Sequence, residues 1–328
     1  MNELYPLKFK PVYKEKVWGG NKISSVLQHN YSPLPNCGEV WMVSGVEDNE
    51  SVVTNGFLKS NTLSELVEVY MGDLVGDKVF EKFGNEFPLL FKFIDTQEYL
   101  SVQVHPDDEL AMERHDSLGK TEMWYVLQAD QGAQLISGFK KKMHKSDYLM
   151  HLKNKTLKEI LNFEPVSGGD VFYIPAGHVH AIGPGILLAE IQQSSDVTYR
   201  IYDWDRFDAA GITRELHTDL ALDAINFDIE GAYKARPAGA KNRPVLLQES
   251  EFFTVNMIDA DISLNRECFQ IDSFIVHLCI EGSYELTSFT GNVKVSNGQA
   301  VLIPASTDEY QIIPSPSCKI LETYIQIN

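Results

Sequence analysis

One stretch, Gly169 to Arg206, constrains the fold of this chain more than any other. It opens with an apolar run, Val171 to Ile174, that stops at the turn Pro175-Ala176-Gly177, as a buried strand stops before the next one begins. The glycines and proline of Gly183 to Gly185 turn the chain again, into a second apolar run from Ile186 to Ile191. A strand, a turn and a returning strand predict the mouth of a small β-barrel, where turns carry functional residues.

Ionisable side chains are concentrated in the same stretch. We predict that a strand begins at His178, and since alternate side chains of a strand share a face, His178 and His180 are expected to point the same way. The returning strand carries Glu190, and Asp196 and Arg200 follow it closely. These five residues bring two imidazoles, two carboxylates and a guanidinium to one region of the predicted barrel.

Composition describes a soluble globular chain that is long enough for two domains. It has 328 residues, of which 44% are hydrophobic and 23% charged. No apolar run reaches the roughly 18 residues of a membrane span, and the first residues lack a signal-peptide core, so we expect a cytoplasmic protein without a membrane partner. The cysteines are widely spaced, which favours reduced packing residues over a disulfide framework or a thiolate metal cluster: Cys37, Cys268, Cys279 and Cys318.

The net charge excludes one class of partner. It is −18, and no basic run of the kind that follows a phosphate backbone is present, so nucleic acid is not expected to bind. Such a field also repels small anions, and an anionic substrate would need locally concentrated cations. Each lysine or arginine near the predicted mouth is therefore a candidate for substrate binding.

The sequence predicts a mainly β fold with short helices in two domains, residues 1–236 and 237–328. Thr62, with Glu65 three residues later, predicts a capped helix start, and RPAGAKNRP is the best linker candidate. Further helices are predicted at Asp73 to Phe83, Asp107 to Arg114, Thr156 to Asn162 and Thr213 to Asn226. Beyond the linker, short strands and turns are expected through Ile327.

A faint internal repeat links the two predicted domains. Asn297 to Ile312, NGQAVLIPASTDEYQI, echoes Gly168 to Ile182, GGDVFYIPAGHVHAI, with the same glycine, apolar run and Ile-Pro-Ala turn. In this register Glu309 stands where His180 stands. We therefore expect the second domain to be structural.

Two earlier strands carry polar faces. After the buried strand Pro88 to Ile94, strict alternation in YLSVQVHPD puts Ser101, Gln103 and His105 on one face. Lys120 and Glu122 share a face in GKTEMWYVL. The simpler interpretations are a solvated strand face and a surface charge pair, and both stay open on the sequence alone.

Candidate metal ligands come from successive strands. Two imidazoles, a carboxylate and an amide oxygen would form a mixed site suited to zinc, with Fe(II), Mn(II) or Co(II) as alternatives: Gln103, His105, Glu122 and His180. The alternatives are a satisfied core histidine at His178 or His180 and a turn role for His105.

Four segments together resemble a known family: SVQVHPD, GKTEMW, IPAGHVHAIGPG and EIQQSSDVTYRIYDWDR. They are similar to the type I mannose-6-phosphate isomerases (phosphomannose isomerases) in their short bacterial form, a family of zinc cupins, and the match runs in order from about Trp18 through Arg206. The resemblance implies two cupin-type jelly-roll β-barrels, the first with helical insertions. It also implies interconversion of mannose 6-phosphate and fructose 6-phosphate by a monomer or homodimer, with one Zn²⁺ per chain on Gln103, His105, Glu122 and His180.

The reaction moves a proton between adjacent carbons through an enediolate, so it needs a base and positive charge near the oxyanion. Glu190 is the candidate base, and Lys120, Asp196 and Arg200 are the other catalytic candidates. Candidates for sugar or phosphate contacts are Ser101, Lys120, Arg200 and Arg206.

Two positions depart from the family pattern. Ile182 stands where many members have tyrosine, and Arg206 where they have lysine. An alternative for Arg206 is a local ion pair with Asp203 or Asp205. Other functions stay open, namely an iron-dependent cupin dioxygenase or a sugar-phosphate sensor without catalysis, although the Glu190 and Arg200 pair disfavours both.

Overall fold

The computed structural model describes residues 3–207, 211–228 and 233–327. Antiparallel strands dominate and the helices are short, which confirms the predicted mainly β fold. In chain order the helices are α1 (Lys22–Ser25), α2 (Leu63–Tyr70), α3 (Gly72–Val75), α4 (Asp77–Phe83), α5 (Asp108–His115), α6 (Lys145–Lys153) and α7 (Thr218–Ala224). The strands of the first half are β1 (Val12–Lys14), β2 (Glu39–Val43), β3 (Leu89–Thr96), β4 (Val102–Val104), β5 (Glu122–Ala129), β6 (Gln134–Phe139), β7 (Leu161–Pro165), β8 (Val171–Ile174), β9 (His180–Ala181), β10 (Ile186–Gln193), β11 (Tyr199–Tyr202) and β12 (Lys234–Ala235). Those of the second half are β13 (Pro244–Glu249), β14 (Thr254–Ala260), β15 (Leu264–Glu267), β16 (Ile275–Ser288), β17 (Gly291–Ser296), β18 (Ala300–Ile303) and β19 (Glu309–Tyr324).

The first half is a sandwich of two antiparallel sheets. The large sheet has the order β1-β2-β3-β10-β5-β8-β12 and the small sheet the order β11-β4-β9-β6-β7. Apolar residues of both sheets form one core between them, among them Trp124, Leu135, Phe172 and Ile182. This is a jelly-roll arrangement with open edges, so the sheets do not close into the barrel that the sequence suggested.

The outer face of the large sheet packs against the second half. Phe91, Phe93 and Ile191 belong to the same buried cluster as Phe253 and Leu302. The rings of Phe87 and Phe274 lie 4.5 Å apart, and the Leu7 and Leu302 backbones exchange hydrogen bonds of 2.8 and 2.9 Å. The two halves therefore share a core, and the boundary at 236/237 stays a prediction.

The second half is built on two long strands. β16 and β19 pair along most of their length, with register shifts at Cys279/Glu281 and Gly282/Tyr284, where the pairing is bent. The sequence repeat extends to the backbone, because the amides of His178 and Thr307 donate to the carbonyls of Pro175 and Pro304, at 3.1 and 3.0 Å. Both halves therefore use the same turn after the buried strand.

Several local predictions are confirmed. Thr62 caps α2 with the complete capping box, since its Oγ1 accepts from the Glu65 amide at 3.2 Å and its own amide donates to Glu65 Oε2 at 2.8 Å. The helix after His105 begins as expected, with Asp107 as its N-cap. The helix predicted over Asp73 to Phe83 is split into α3 and α4 at Gly76, whose φ is +98°.

Two predicted helices are corrected. Residues 156–162 form only a 3₁₀ turn at Leu157–Glu159, because β7 begins at Leu161 and pairs with β6; the helix of this insert is the earlier α6. The segment before α7 is held against β11, where the His217 amide donates to the Arg200 carbonyl at 2.7 Å, so this helix begins only at Thr218. Long-range pairing thus overrides the helical pattern in both places.

All four cysteines are buried with free thiols, which confirms that they pack as reduced residues. Burial raises the pKa of Cys268 and Cys279 to about 12. Among the helices of the described ranges, none combines the length and apolar character that a membrane crossing needs.

A buried polar network centres on Glu322 in the second half. Arg266 donates two hydrogen bonds of 2.9 Å to its carboxylate, and the Tyr310 hydroxyl donates another of 2.9 Å. His277 lies between the hydroxyls of Tyr310 and Tyr284, at 2.9 and 3.0 Å. Burial alone would raise the pKa of Glu322, but His277 and Arg266 outweigh it and hold the pKa at about 2. The buried polar groups of this network thus satisfy one another.

Arg266→Ala should destabilise the protein by about 3 to 5 kcal/mol, because it leaves a buried carboxylate without its cation. Chemical unfolding measures this change. Arg243→Ala removes an exposed positive charge from the same half and should change the free energy of unfolding by no more than about 0.5 kcal/mol. Equal stabilities of the two variants would contradict the importance of this network.

Candidate active site

A cavity of about 310 Å³ opens between the two sheets of the first half. Its lining brings together nearly all of the sequence-predicted site residues: Ser101, Gln103, Lys120, Glu122, His180, Glu190, Asp196 and Arg200. His105 lies beside them, with its Nε2 3.3 Å from Glu122 Oε1. A larger groove of about 880 Å³, lined by residues of both halves, contains none of these residues.

Strand alternation explains the polar wall of the cavity. In β3, Phe91 and Phe93 face the shared core, so Lys92 between them faces the cavity. Across the sheet Lys92 is paired with Glu190, and Glu190 with Trp124. A row of inward side chains therefore crosses three neighbouring strands of a sheet whose other face is apolar.

The predicted metal ligands converge. Ligand atoms of His105, Glu122 and His180 all lie within 4.8 Å of one another, and all three side chains are buried. The Nε2 atoms of His105 and His180 lie 3.3 and 3.8 Å from the Glu122 carboxylate. Gln103 Nε2 lies 3.5 and 3.2 Å from the same two imidazole nitrogens. Rotation of this amide by half a turn would present its oxygen as a fourth ligand.

Backbone carbonyls orient both imidazoles. The Nδ1 of His105 bonds to the carbonyl of Val197 at 2.9 Å, and the Nδ1 of His180 to the carbonyl of His178 at 2.8 Å. A carbonyl only accepts, so each Nδ1 carries the proton and each Nε2 directs a lone pair at the cluster. This is the tautomer that a metal ligand needs.

The cluster fits a divalent metal. Glu122 Oε2 is buried and accepts no hydrogen bond within the described residues, so an anionic oxygen lacks a partner at the point where the two imidazole lone pairs meet. Two neutral nitrogens, a carboxylate and an amide oxygen form a donor set that suits zinc or a similar ion.

Burial, and secondarily Lys120, lowers the pKa of His105 to about 3, and burial also lowers the pKa of His180. Burial alone would raise the pKa of Glu122, but opposing interactions, of which the charge of Lys120 is the largest, outweigh it and the net pKa is lowered. Neutral imidazoles beside an ionised carboxylate are the protonation states for metal binding. Lys120 Nζ lies 3.4 Å from Glu122 with both side chains buried, so the pair is not a surface charge pair.

Glu190 is held on both carboxylate oxygens. Lys92 Nζ lies 3.1 Å from Oε1, and Trp124 Nε1 donates to Oε2 at 2.8 Å. Burial and the charge of Glu122 raise the pKa of Glu190, although Lys92 opposes them. Lys92 Nζ also donates a hydrogen bond of 2.6 Å to Gln192 Oε1. Burial alone would lower the pKa of Lys92, but the negative charges of Glu190 and Glu39 outweigh it and raise the pKa. The Glu190 carboxylate is thus held in one position, and its pKa is raised above the ordinary value of a glutamate.

Arginines and hydroxyls line the mouth. Arg200 Nε donates to Ser101 Oγ at 3.0 Å, and its Nη1 donates to the Glu215 carbonyl at 3.0 Å. Thr198 and Arg214 line the cavity beside them, while Asp196 is exposed at the rim. Burial, followed by the charge of Arg214, lowers the pKa of Arg200. The mouth is therefore locally positive in a strongly acidic protein.

Arg206 adopts the alternative arrangement. Its guanidinium pairs with Asp203 and donates to the Tyr99 carbonyl at 2.7 Å, and it is not among the residues that line the cavity. Ile182, at the position where many family members carry tyrosine, is buried in the cavity wall.

The predicted common orientation of His178 and His180 is wrong. β9 begins only at His180, so His178 lies in the preceding turn, where strand alternation does not apply. His178 Nε2 bonds to Ser137 Oγ at 3.0 Å, and its ring packs against Tyr233 at 4.9 Å. His178 supports His180 through its carbonyl instead of facing the cluster.

Sequence reasoning missed several cavity residues: Lys16, Trp18, Glu39, Lys92, Thr198 and Arg214. A signal existed for Lys92, because a lysine inside the apolar run PLLFKFI must be paired if it is buried. Glu39, whose carboxylate accepts from Trp41 Nε1 at 2.8 Å, lay on a recognised strand. No local pattern marks Arg214, which reaches the cavity from an irregular segment.

A jelly roll with two histidines, a glutamate and a glutamine converging between its sheets has the fold and site of a metal-binding cupin. Family models agree with this class: the phosphomannose isomerase type I catalytic domain matches residues 6–134, and the mannose-6-phosphate isomerase cupin domain matches residues 245–324.

Whole-chain relatives are more specific. A mannose-6-phosphate isomerase of Streptococcus mutans is 34% identical over 93% of this chain and 94% of its own. Mannose-6-phosphate isomerase ManA of Bacillus subtilis is 35% identical over 95% of this chain and 97% of its own. The crystal structure of the mannose 6-phosphate isomerase from Bacillus subtilis superimposes with a TM-score of 0.87 at 31% identity, covering 98% of this chain and 99% of that one. The chain belongs to the type I mannose-6-phosphate isomerase family and is an enzyme.

Glu122→Gln should weaken zinc binding sharply, because the cluster loses its anionic oxygen. Removing a residue that only hydrogen-bonds to a metal ligand typically lowers metal affinity roughly 10- to 100-fold, and the loss here should be larger. Competition with a chromophoric chelator measures the affinity. Glu39→Gln is the matched control, since it neutralises a cavity glutamate outside the cluster and should keep the metal. Unaltered zinc affinity in Glu122→Gln would contradict the ligand assignment.

Proposed function

We propose that this enzyme interconverts mannose 6-phosphate and fructose 6-phosphate through an enediolate, with one zinc ion per chain. The observation that carries the proposal is that Glu190 and the cluster of Gln103, Glu122 and His180 line the same cavity. An aldose-ketose isomerisation needs a base over adjacent carbons and positive charge at the neighbouring oxygens. This cavity holds both.

We assign the metal to Gln103, His105, Glu122 and His180. When bound there, zinc supplies a Lewis acid that polarises a carbonyl oxygen. Fe(II), Mn(II) and Co(II) suit the same donors. The buried, oriented imidazoles and the unpartnered Glu122 oxygen support this assignment.

We assign the base to Glu190. Its raised pKa brings it closer to the operating pH, which makes a carboxylate a more effective proton acceptor and donor. Trp124 and Lys92 fix the carboxylate, so its position does not depend on the substrate. Lys92 stays protonated and stabilises negative charge that develops beside Glu190.

Lys120, Asp196 and Arg200 have supporting roles in the proposal. Lys120 lies at the cluster and stabilises negative charge on the sugar oxygens, while Arg200 with Ser101 contacts the phosphorylated end at the mouth. Asp196 at the rim orients sugar hydroxyls. The predicted cytoplasmic location and the monomeric or homodimeric state stay predictions.

The direct test is conversion of mannose 6-phosphate by the purified protein in a coupled assay, across zinc, iron, manganese and cobalt loading. The proposal expects turnover, whereas a cupin dioxygenase would require iron and oxygen and a sensor would bind the sugar phosphate unchanged. Absence of turnover with every metal would refute the isomerase assignment.

Glu190→Gln should lower kcat by roughly 100-fold or more and leave the metal bound, because size and hydrogen bonding are retained while basicity is lost. Metal analysis and steady-state kinetics on the same preparation separate this effect from that of Glu122→Gln. The assignment is reversed if Glu190→Gln loses its metal while Glu122→Gln keeps both metal and activity.

A further inference from the structure

The cavity cations fall into two groups by their partners. Three lysines each have a carboxylate close by: Lys16 with Glu39 at 3.1 Å, Lys92 with Glu190 at 3.1 Å and Lys120 with Glu122 at 3.4 Å. The two arginines differ. Within the described residues Arg200 has no carboxylate within 4.0 Å, and the one ion pair of Arg214 is a 3.8 Å contact with Asp203.

That contact leaves Arg214 weakly held. The same oxygen of Asp203 already carries the guanidinium of Arg206, which is bonded more closely and is more buried. The Arg214 side chain is 41% exposed, so it can move towards a ligand without breaking a strong interaction or losing much hydration.

Backbone contacts fix the position of Arg214 beside Arg200. Arg200 Nη1 donates to the Glu215 carbonyl at 3.0 Å, which ties the residue next to Arg214 to the mouth. Two further hydrogen bonds join the same segments: the His217 amide donates to the Arg200 carbonyl at 2.7 Å, and the Arg200 amide donates to His217 Nδ1 at 3.1 Å. Two guanidiniums are thus brought to one edge of the cavity without a matching pair of carboxylates.

We propose that Arg214 is the second phosphate-binding cation of this enzyme and, with Arg200, determines its preference for phosphorylated sugars. The inference rests on the proposed function and deepens it. Guanidinium groups bind phosphate oxygens bidentately, and a dianionic phosphate replaces the missing counter-charge of both arginines. The metal ligands lie deep in the cavity and Arg214 at its mouth, which matches a sugar with its reacting carbons inside and its phosphate outside.

The role that the sequence suggested for Arg206 therefore moves to Arg214. Arg206 is committed to Asp203 and the Tyr99 carbonyl, and it holds the closer position at the Asp203 oxygen that Arg214 also approaches, which leaves Arg214 with the weaker contact of 3.8 Å. Arg206 acts on the site as a structural residue that keeps Arg214 available.

Arg214→Ala should raise KM for mannose 6-phosphate roughly 10- to 100-fold with kcat changed less than about threefold, because uniform binding energy is lost. The inhibition constant of inorganic phosphate should rise in parallel. Arg214→Lys, which keeps the charge and loses the planar fork, should give an intermediate KM.

Arg243→Ala is the matched control for one lost positive charge, and metal content and unfolding temperature verify that each variant is folded. Unchanged KM and phosphate inhibition in Arg214→Ala would overturn the proposal, as would a larger KM effect in Arg206→Ala. Should the unaltered protein not turn over mannose 6-phosphate, calorimetric titration with inorganic phosphate still decides: equal affinity in unaltered protein and Arg214→Ala refutes the phosphate site independently of catalysis.

Discussion

The buried carboxylate of Glu122 is the interaction on which the site depends. It lies within 3.8 Å of both cluster imidazoles and 3.4 Å from Lys120, and one of its oxygens has no hydrogen-bond partner among the described residues. An ionised carboxylate inside a protein is costly unless surrounded by positive charge and donors. The segments that bring the histidines and Lys120 to Glu122 therefore assemble an electrostatic environment that a metal ion at this site would complete.

The rest of the fold gives this cluster a rigid wall. The large sheet is polar towards the cavity and apolar towards the second half, because strand alternation sends Lys92 and Glu190 one way and Phe91 and Phe93 the other. The second half repeats the strand and turn of the first without its imidazoles. Its own buried charge, Glu322, is fully bonded to Arg266, Tyr310 and Asn256, so it stabilises structure instead of presenting a free ligand.

Features that depend on residues close together in the chain could be predicted from the sequence, whereas features that depend on distant residues could not. Turn signals and apolar runs placed His180 and Glu190 on strands that follow one another in the chain, and the capping box at Thr62 was correct in detail, because these patterns are local. The orientation of His178 was wrong because the turn extends two residues further than the pattern suggests. Arg206 and Arg214 could not be distinguished from sequence, since their choice of partners depends on how an irregular segment returns to β11.

The most direct test of this account is metal dependence measured together with metal content. Purified protein is analysed for metal and assayed with mannose 6-phosphate before chelation, after chelation and after zinc is restored. The account predicts about one equivalent of metal per chain, loss of turnover as the metal is removed, and recovery of both with zinc. Full turnover in protein that demonstrably holds no metal would contradict it, because Glu122 would then be a buried carboxylate without the ion that its surroundings are built to accept.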